Sequence, residues 1–207
     1  MNSKKYKDVL YEVREITDLL DMIRSSAELF SDDPAFLVKE VPAGEYVPIT
    51  YRTLKSDIDC LGTYFAKVGM EGKKIAVIGE NSYQWVVAYL AAVNGMSIAV
   101  PLDKELPSHE IHNLLVRAEV DAILFSAKVE DKTLDALEGI SGVDLRIRMN
   151  GVSIDPDVKS WETVMEEGRN ALLEGCRQFM DVEIDPDVMC ALLFTSGTTG
   201  NSKGVML

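Results

Sequence analysis

The stretch Leu193-Phe194-Thr195-Ser196-Gly197-Thr198-Thr199-Gly200-Asn201-Ser202-Lys203-Gly204 concentrates more chemistry than any other part of the sequence. Gly197 and Gly200 let backbone N–H groups approach and wrap an anion with no Cβ in the way. Thr195, Ser196, Thr198, Thr199, Asn201 and Ser202 add polar side chains, and Lys203 adds a mobile point charge suited to a phosphate. The spacing is not that of the P-loop pattern G-x-x-x-x-G-K-[ST], because five positions beyond Gly197 stands Ser202, and Lys203 precedes Gly204 instead of following a glycine. A dinucleotide G-x-G-x-x-G fails here and again at Gly79-Glu80-Asn81. The loop therefore handles phosphate by another geometry. A flexible Gly/Ser/Thr linker has a similar composition, but linkers do not follow an apolar run such as Ala191-Leu192-Leu193-Phe194 and lead into Val205-Met206-Leu207.

The elements that position this loop can be read from hydrophobic spacing. Ile16, Leu19, Leu20, Ile23, Ala27 and Phe30 form one face of an amphipathic helix. Residues 35–39 and 45–49 flank Pro42-Ala43-Gly44 as a hairpin, and Thr50 caps a helix whose seam is Leu54, Ile58, Leu61, Phe65 and Val68. Strand and helix then alternate. Strands are expected at Lys74–Gly79, Ser97–Val100 (closed by Pro101), Asp121–Phe125 and Asp144–Arg148. Helices are expected at Tyr83–Val93, Pro107–Ala118 and Val129–Leu137. Residues 150–160 read as loop, Trp161–Cys176 as a helix capped by Ser160, and Asp181–Asp187 as an acidic connector. Val188–Phe194 reads as a buried strand feeding the glycine loop. This order implies an α/β fold, with a parallel sheet flanked by helices and the loop at its carboxyl edge.

Composition narrows the partners. The chain has 207 residues, 47% hydrophobic, enough for a packed core. Lys plus Arg number 21 and Asp plus Glu 34, a net charge of −13. Such a surface repels nucleic acid and anionic lipid, so neither is expected as a partner. Any ATP site must be a local device of backbone N–H groups and one or two cations. The polar start lacks the apolar region of a signal peptide, and no apolar run approaches the roughly 18 residues of a membrane span. The 3 cysteines, Cys60, Cys176 and Cys190, form no C-x-x-C pair, and a cytoplasmic setting with reduced thiols is expected.

The segment Thr195–Gly204 resembles the phosphate-loop signature of the adenylate-forming superfamily, which includes acyl-CoA synthetases, luciferases and nonribosomal peptide synthetase adenylation domains. The usual proline before the lysine is Ser202 here. The resemblance extends over nearly the whole chain. Tyr51-Arg52-Thr53-Leu54 resembles the early helix of the family, Lys74 to Trp85 its first sheet strand and following turn, and Val100-Pro101-Leu102 with Leu106 to Ile111 the segment after the second strand. The Glu80-Asn81 turn before a Trp-bearing helix is most similar to the long-chain fatty acyl-CoA synthetase branch. The resemblance implies a two-step AMP-forming ligase. A carboxylate attacks the α-phosphate of Mg2+-bound ATP, giving an acyl-adenylate and pyrophosphate, and the thiol of CoA then displaces AMP. By the same resemblance Thr195, Ser196, Gly197, Thr198, Thr199, Gly200 and Lys203 hold the ATP phosphates.

The family is several hundred residues long, and its adenine pocket, metal-binding glutamate, acyl tunnel and C-terminal catalytic lysine lie beyond this loop. The expectation is an N-terminal portion of the large domain, with residues 1–180 as its α/β part and 181–207 opening a second subdomain. It is expected to hold no catalytic residue of its own and to be inactive alone. Its edge around residues 188–207 is expected to be poorly ordered or paired with another copy. The alternative is a stand-alone, non-catalytic α/β module that binds nucleotide or a partner protein.

Other patterns carry less. His109 and His112 stand three apart on a helix but lack a third metal ligand. Asp181, Glu183, Asp185 and Asp187 mimic the start of a calcium loop, yet Pro186 occupies its glycine position. Cys190 reads as packing, Ser196 lacks the hydrolase elbow, and Trp85 and Trp161 read as core.

Overall fold

The computed structural model describes residues 13–39, 41, 43–95, 97–195 and 202–207. Helix α1 (Leu19–Leu29) starts later than its periodicity suggests because the Asp18 carboxylate caps it, accepting the Asp21 N–H at 2.7 Å. Strands β1 (Pro34–Val38) and β2 (Val47–Thr50) form the expected antiparallel hairpin. Thr50, Ser82 and Ser160 each accept the N–H of the residue three ahead. They open α2 (Tyr51–Lys67), α3 (Tyr83–Val93) and α6 (Trp161–Leu173).

The main sheet has five parallel strands: β3 (Lys74–Ile78), β4 (Ile98–Leu102), β5 (Ala122–Phe125), β6 (Leu145–Arg148) and β7 (Val158–Ser160). Their order is β4-β3-β5-β6-β7, with helices α4 (Ser108–Ala118) and α5 (Glu130–Leu137) in the crossovers. Strand alternation divides the core between the two faces. Ile75, Val77 and Leu124 pack with Ile58, Leu61 and Phe65 of α2 and with Val164 of α6. Ala76, Ile78, Ile123 and Phe125 pack with Ile111 and Leu115 of α4 and Ala136 of α5. The α/β class and the flanked parallel sheet are as the sequence indicates.

Three readings need correction. Pro101 does not close β4; it pairs with Val77 inside the strand. The Ile98 N–H points to β3, donating to Lys73 O at 2.8 Å, and the Ala99 N–H points outward to Cys190 O at 2.9 Å. By that alternation Pro101, which has no N–H to give, faces the outer side, where the ladder to β3 loses nothing. Residues 150–160 are not all loop, since Val158–Ser160 adds β7 to the sheet. A run of three residues is too short for a periodicity signal. Helix α6 ends at Leu173, not Cys176. Gly175, at φ +90°, turns the chain into a Schellman close, with Gly175 N–H on Leu172 O at 3.0 Å and Cys176 N–H on Ala171 O at 2.9 Å.

Candidate phosphate-binding hairpin

Val188–Phe194 is not a buried strand of the main sheet. The strand is β8 (Leu192–Thr195), half-buried up to Phe194, and it pairs antiparallel with β9 (Lys203–Met206), an element the sequence did not announce. β9 occupies one side of β8, and the outer side of β9 is exposed and pairs with no other strand among the described residues. The hairpin hangs from the edge of β4 by its root. Ala99 bridges Ala191 in parallel, Cys190 N–H donates to Leu207 O at 2.8 Å, and Leu207 N–H donates to Ala191 O at 3.0 Å. Because β8 runs parallel to β4, Thr195 lies toward the carboxyl end of the sheet, the side on which open α/β sheets bind ligands.

The register pairs Leu192 with Met206, Leu193 with Val205, Phe194 with Gly204 and Thr195 with Lys203. Thr195 and Lys203 thus face each other across the open end, both exposed. They share one face of the hairpin, while Phe194 and Leu192 lie on the other, packed against the core formed with α4. Gly204 has a packing reason: a Cβ there would stand 3.1 Å from Leu192 Cδ1 and 3.6 Å from Phe194 Cε1. The arrangement presents a hydroxyl and an ammonium on cross-strand partners at the two ends of the glycine-rich sequence 196–202, chemistry suited to a polyphosphate. Of the residues singled out in the sequence, the structure brings Thr195 and Lys203 together. Ser196, Gly197, Thr198, Thr199 and Gly200 lie outside the described residues, as does Asn201.

A second polar cluster lies where the strand order reverses, between the carboxyl ends of β3 and β5. A Cβ on Gly79 would meet Ser126 at 2.9 Å, so the two strand ends touch. Burial would raise the Glu80 carboxyl, but the Ser126 hydroxyl, its own backbone and the ammonium groups of Lys128 and Lys104 outweigh it and leave it below its usual range. Glu130 and Arg148 pair at 2.9 Å with side chains 12% and 18% exposed, and Asn150 Oδ1 accepts the Ala127 N–H at 2.9 Å. The sequence reading passed over this cluster, whose members become neighbours only through strand order.

The weaker patterns resolve into ordinary structure. His112 Nδ1–H donates to Ala136 O at 2.9 Å, tying α4 to α5, and His109 is exposed. Asp181 accepts two hydrogen bonds from Arg177, at 2.8 and 3.1 Å, and Asp185 accepts the Asp187 N–H at 3.0 Å. Among the described residues no group of three His, Cys, Asp or Glu side chains could hold a metal ion, and no helix is long and apolar enough to cross a membrane. Trp85 stacks on Tyr89 with ring centroids 5.6 Å apart, and Trp85 and Trp161 both pack on the core beneath α2. Cys190 is half-buried, and burial pushes the Cys60 thiol up.

Comparison with known proteins supplies the context. The family model described as AMP-binding enzyme matches residues 23–207. Long chain acyl-CoA synthetase 1 of Arabidopsis thaliana is 25% identical over 210 residues, covering 93% of this chain and 30% of that protein. Long-chain-fatty-acid–CoA ligase 6 of Rattus norvegicus is 28% identical over 182 residues, covering 80% of this chain and 25% of that protein. The crystal structure of a long-chain-fatty-acid-CoA ligase (FadD1) from Archaeoglobus fulgidus superposes with a TM-score of 0.73 at 22% identity. It covers 91% of this chain and 36% of that one, and at that identity it shows the fold alone. The chain thus spans about a third or less of each of these proteins.

Proposed function

The chain belongs to the AMP-binding enzyme family, and from that premise we propose that its β8–β9 hairpin is the ATP-phosphate loop of an AMP-forming acid–CoA ligase acting on a long-chain fatty acid. The observation that carries this reading is Thr195 facing Lys203 where the two strands flank the glycine-threonine sequence, at the carboxyl side of a parallel sheet. Thr195, Ser196, Thr198, Thr199 and Lys203 contact the phosphates in this reading, and Gly197 and Gly200 give the backbone room to approach. Their work is positioning and charge stabilisation while the acid carboxylate displaces pyrophosphate from the α-phosphate. The CoA thiol then takes the acyl group and AMP leaves. The described residues offer no cluster for Mg2+, which would come with the nucleotide.

Residues 1–180 form the α/β scaffold in this reading and 181–207 start the part that closes over ATP. The preference for a long-chain acid rests on the named relatives and on the Glu80-Asn81 turn before the Trp85-bearing helix. The three free thiols, Cys60, Cys176 and Cys190, suit a reducing, cytoplasmic setting. The test uses the product of the whole reading frame that contains these residues, beside the 207-residue chain alone. Each is given Mg-ATP, CoA and a panel of fatty, aryl and amino acids. AMP and pyrophosphate formed by the whole-frame product with fatty acids, and silence from residues 1–207 by themselves, are the expected results. ADP, or AMP formation independent of any acid, contradicts the reading.

A further inference from the structure

The hairpin's main-chain tie to the sheet lies at its root, in the Ala99–Ala191 bridge and the Ala99 N–H on Cys190 O at 2.9 Å, while the residues that would meet phosphate sit at its far end. A two-stranded ribbon is marginal in water by itself, and with main-chain bonds to the sheet only at its root it depends on side-chain packing to fix its mouth. Something must fix its direction near Thr195 and Lys203. Phe194 is the last residue before the mouth, and its ring points away from the Thr195–Lys203 face toward α4. There the Arg117 guanidinium carbon, from the last turn of α4, lies 5.8 Å from the ring centroid. A groove of about 440 Å³ beside this contact is lined by His109, His112, Asn113 and Arg117 on the helix and by Ser202, next to Lys203. Arg117 thus touches the residue next to Thr195 and lines the same groove as the residue next to Lys203.

We propose that Arg117 is a positioning residue for the phosphate hairpin, acting through the Phe194 ring to hold Thr195 and Lys203 in register with bound ATP. The proposal deepens the ligase reading and rests on it. Arg117 lies behind the hairpin, so its effect reaches the nucleotide through Phe194.

The test compares Arg117→Ala, Phe194→Leu and the double variant in the product of the whole reading frame. Arg117→Ala is expected to raise the KM for ATP about three- to fivefold, with kcat and the KM for the acid nearly unchanged, the scale of one partly exposed cation–π contact. In the Phe194→Leu background Arg117→Ala is expected to add nothing further, since the pair is one interaction. An unchanged KM for ATP overturns the proposal. So does an equal rise in both backgrounds, which would mean that the charge acts on ATP directly. If the wild-type protein makes no AMP with any acid, the ligase reading falls separately. Amide hydrogen exchange then decides the positioning role in the 207-residue chain. Faster exchange at residues 192–195 and 203–206 in Arg117→Ala, with α4 unaltered, upholds it, and unchanged exchange overturns it.

Discussion

Lys203 and Thr195 are cross-strand partners at the end of a hairpin, and each side chain is exposed. An ammonium so placed contributes to stability almost nothing, which leaves ligand binding as its work. Lys203→Ala is therefore expected to leave the melting temperature unchanged and to lower kcat/KM for ATP about ten- to hundredfold, the range of one charge-assisted contact. Steady-state AMP formation checks it. Asp121 has the opposite profile. Its carboxylate accepts the Lys74 N–H at 2.9 Å and pairs with Lys73 at 3.0 Å, tying the start of β3 to β5. Burial alone would raise this carboxyl; the Lys74 N–H and then Lys73 overcome it and hold it below the usual 3.8. A depressed folded pKa contributes stability above the unfolded value that is lost as pH falls through the folded one. Asp121→Asn is expected to cost about 1 kcal/mol at neutral pH, where its side chain is partly solvent-screened. The gap from the wild type should close in strong acid, as read by urea midpoints across pH.

At the scale of elements, helices α2 and α6 approach each other through Gly168. A Cβ there would lie 2.0 Å from Cys60 O and 2.8 Å from Cys60 C, both backbone atoms that cannot step aside. Gly168→Ala is expected to destabilise the fold by about 3 kcal/mol or more, seen as a lower denaturant midpoint. Gly62 plays a like part, leaving space for the buried Phe179 ring. Elements with strong signals were legible before the structure. The Thr50 and Ser160 caps, the α2 seam from Leu54 to Phe65 and the apolar runs of β3 and β5 each declare themselves locally. What escaped depends on distant neighbours. Pro101 looks like a stop until Ala99 shows which way the β4 N–H groups point. Val158–Ser160 becomes a strand only because β6 offers an edge. Val188–Phe194 is apolar enough for a buried strand, but β9 takes its hydrogen bonds and draws it off the main sheet. At the site, residue types in the loop were legible; the pairing of Thr195 with Lys203, the support from Arg117 and the Glu80–Ser126 crevice were not, because each requires tertiary proximity.

The whole molecule carries a net charge of −13, unfavourable for a polyphosphate at long range. In the proposed reading ATP recognition is therefore short-ranged, made where backbone N–H groups, hydroxyls and Lys203 outweigh the surrounding field. The five-stranded sheet supplies a rigid platform, and the hairpin projects from its β4 edge. The chain spans 30% of the length of the Arabidopsis synthetase and 25% of that of the rat ligase. The most direct measurement is acid-dependent exchange of labelled pyrophosphate into ATP by the product of the whole reading frame, because that exchange isolates the adenylation step from CoA transfer. The account expects exchange that requires a long-chain fatty acid and falls about ten- to hundredfold in Lys203→Ala. Exchange that is absent with every acid, or that survives Lys203→Ala undiminished, would contradict it.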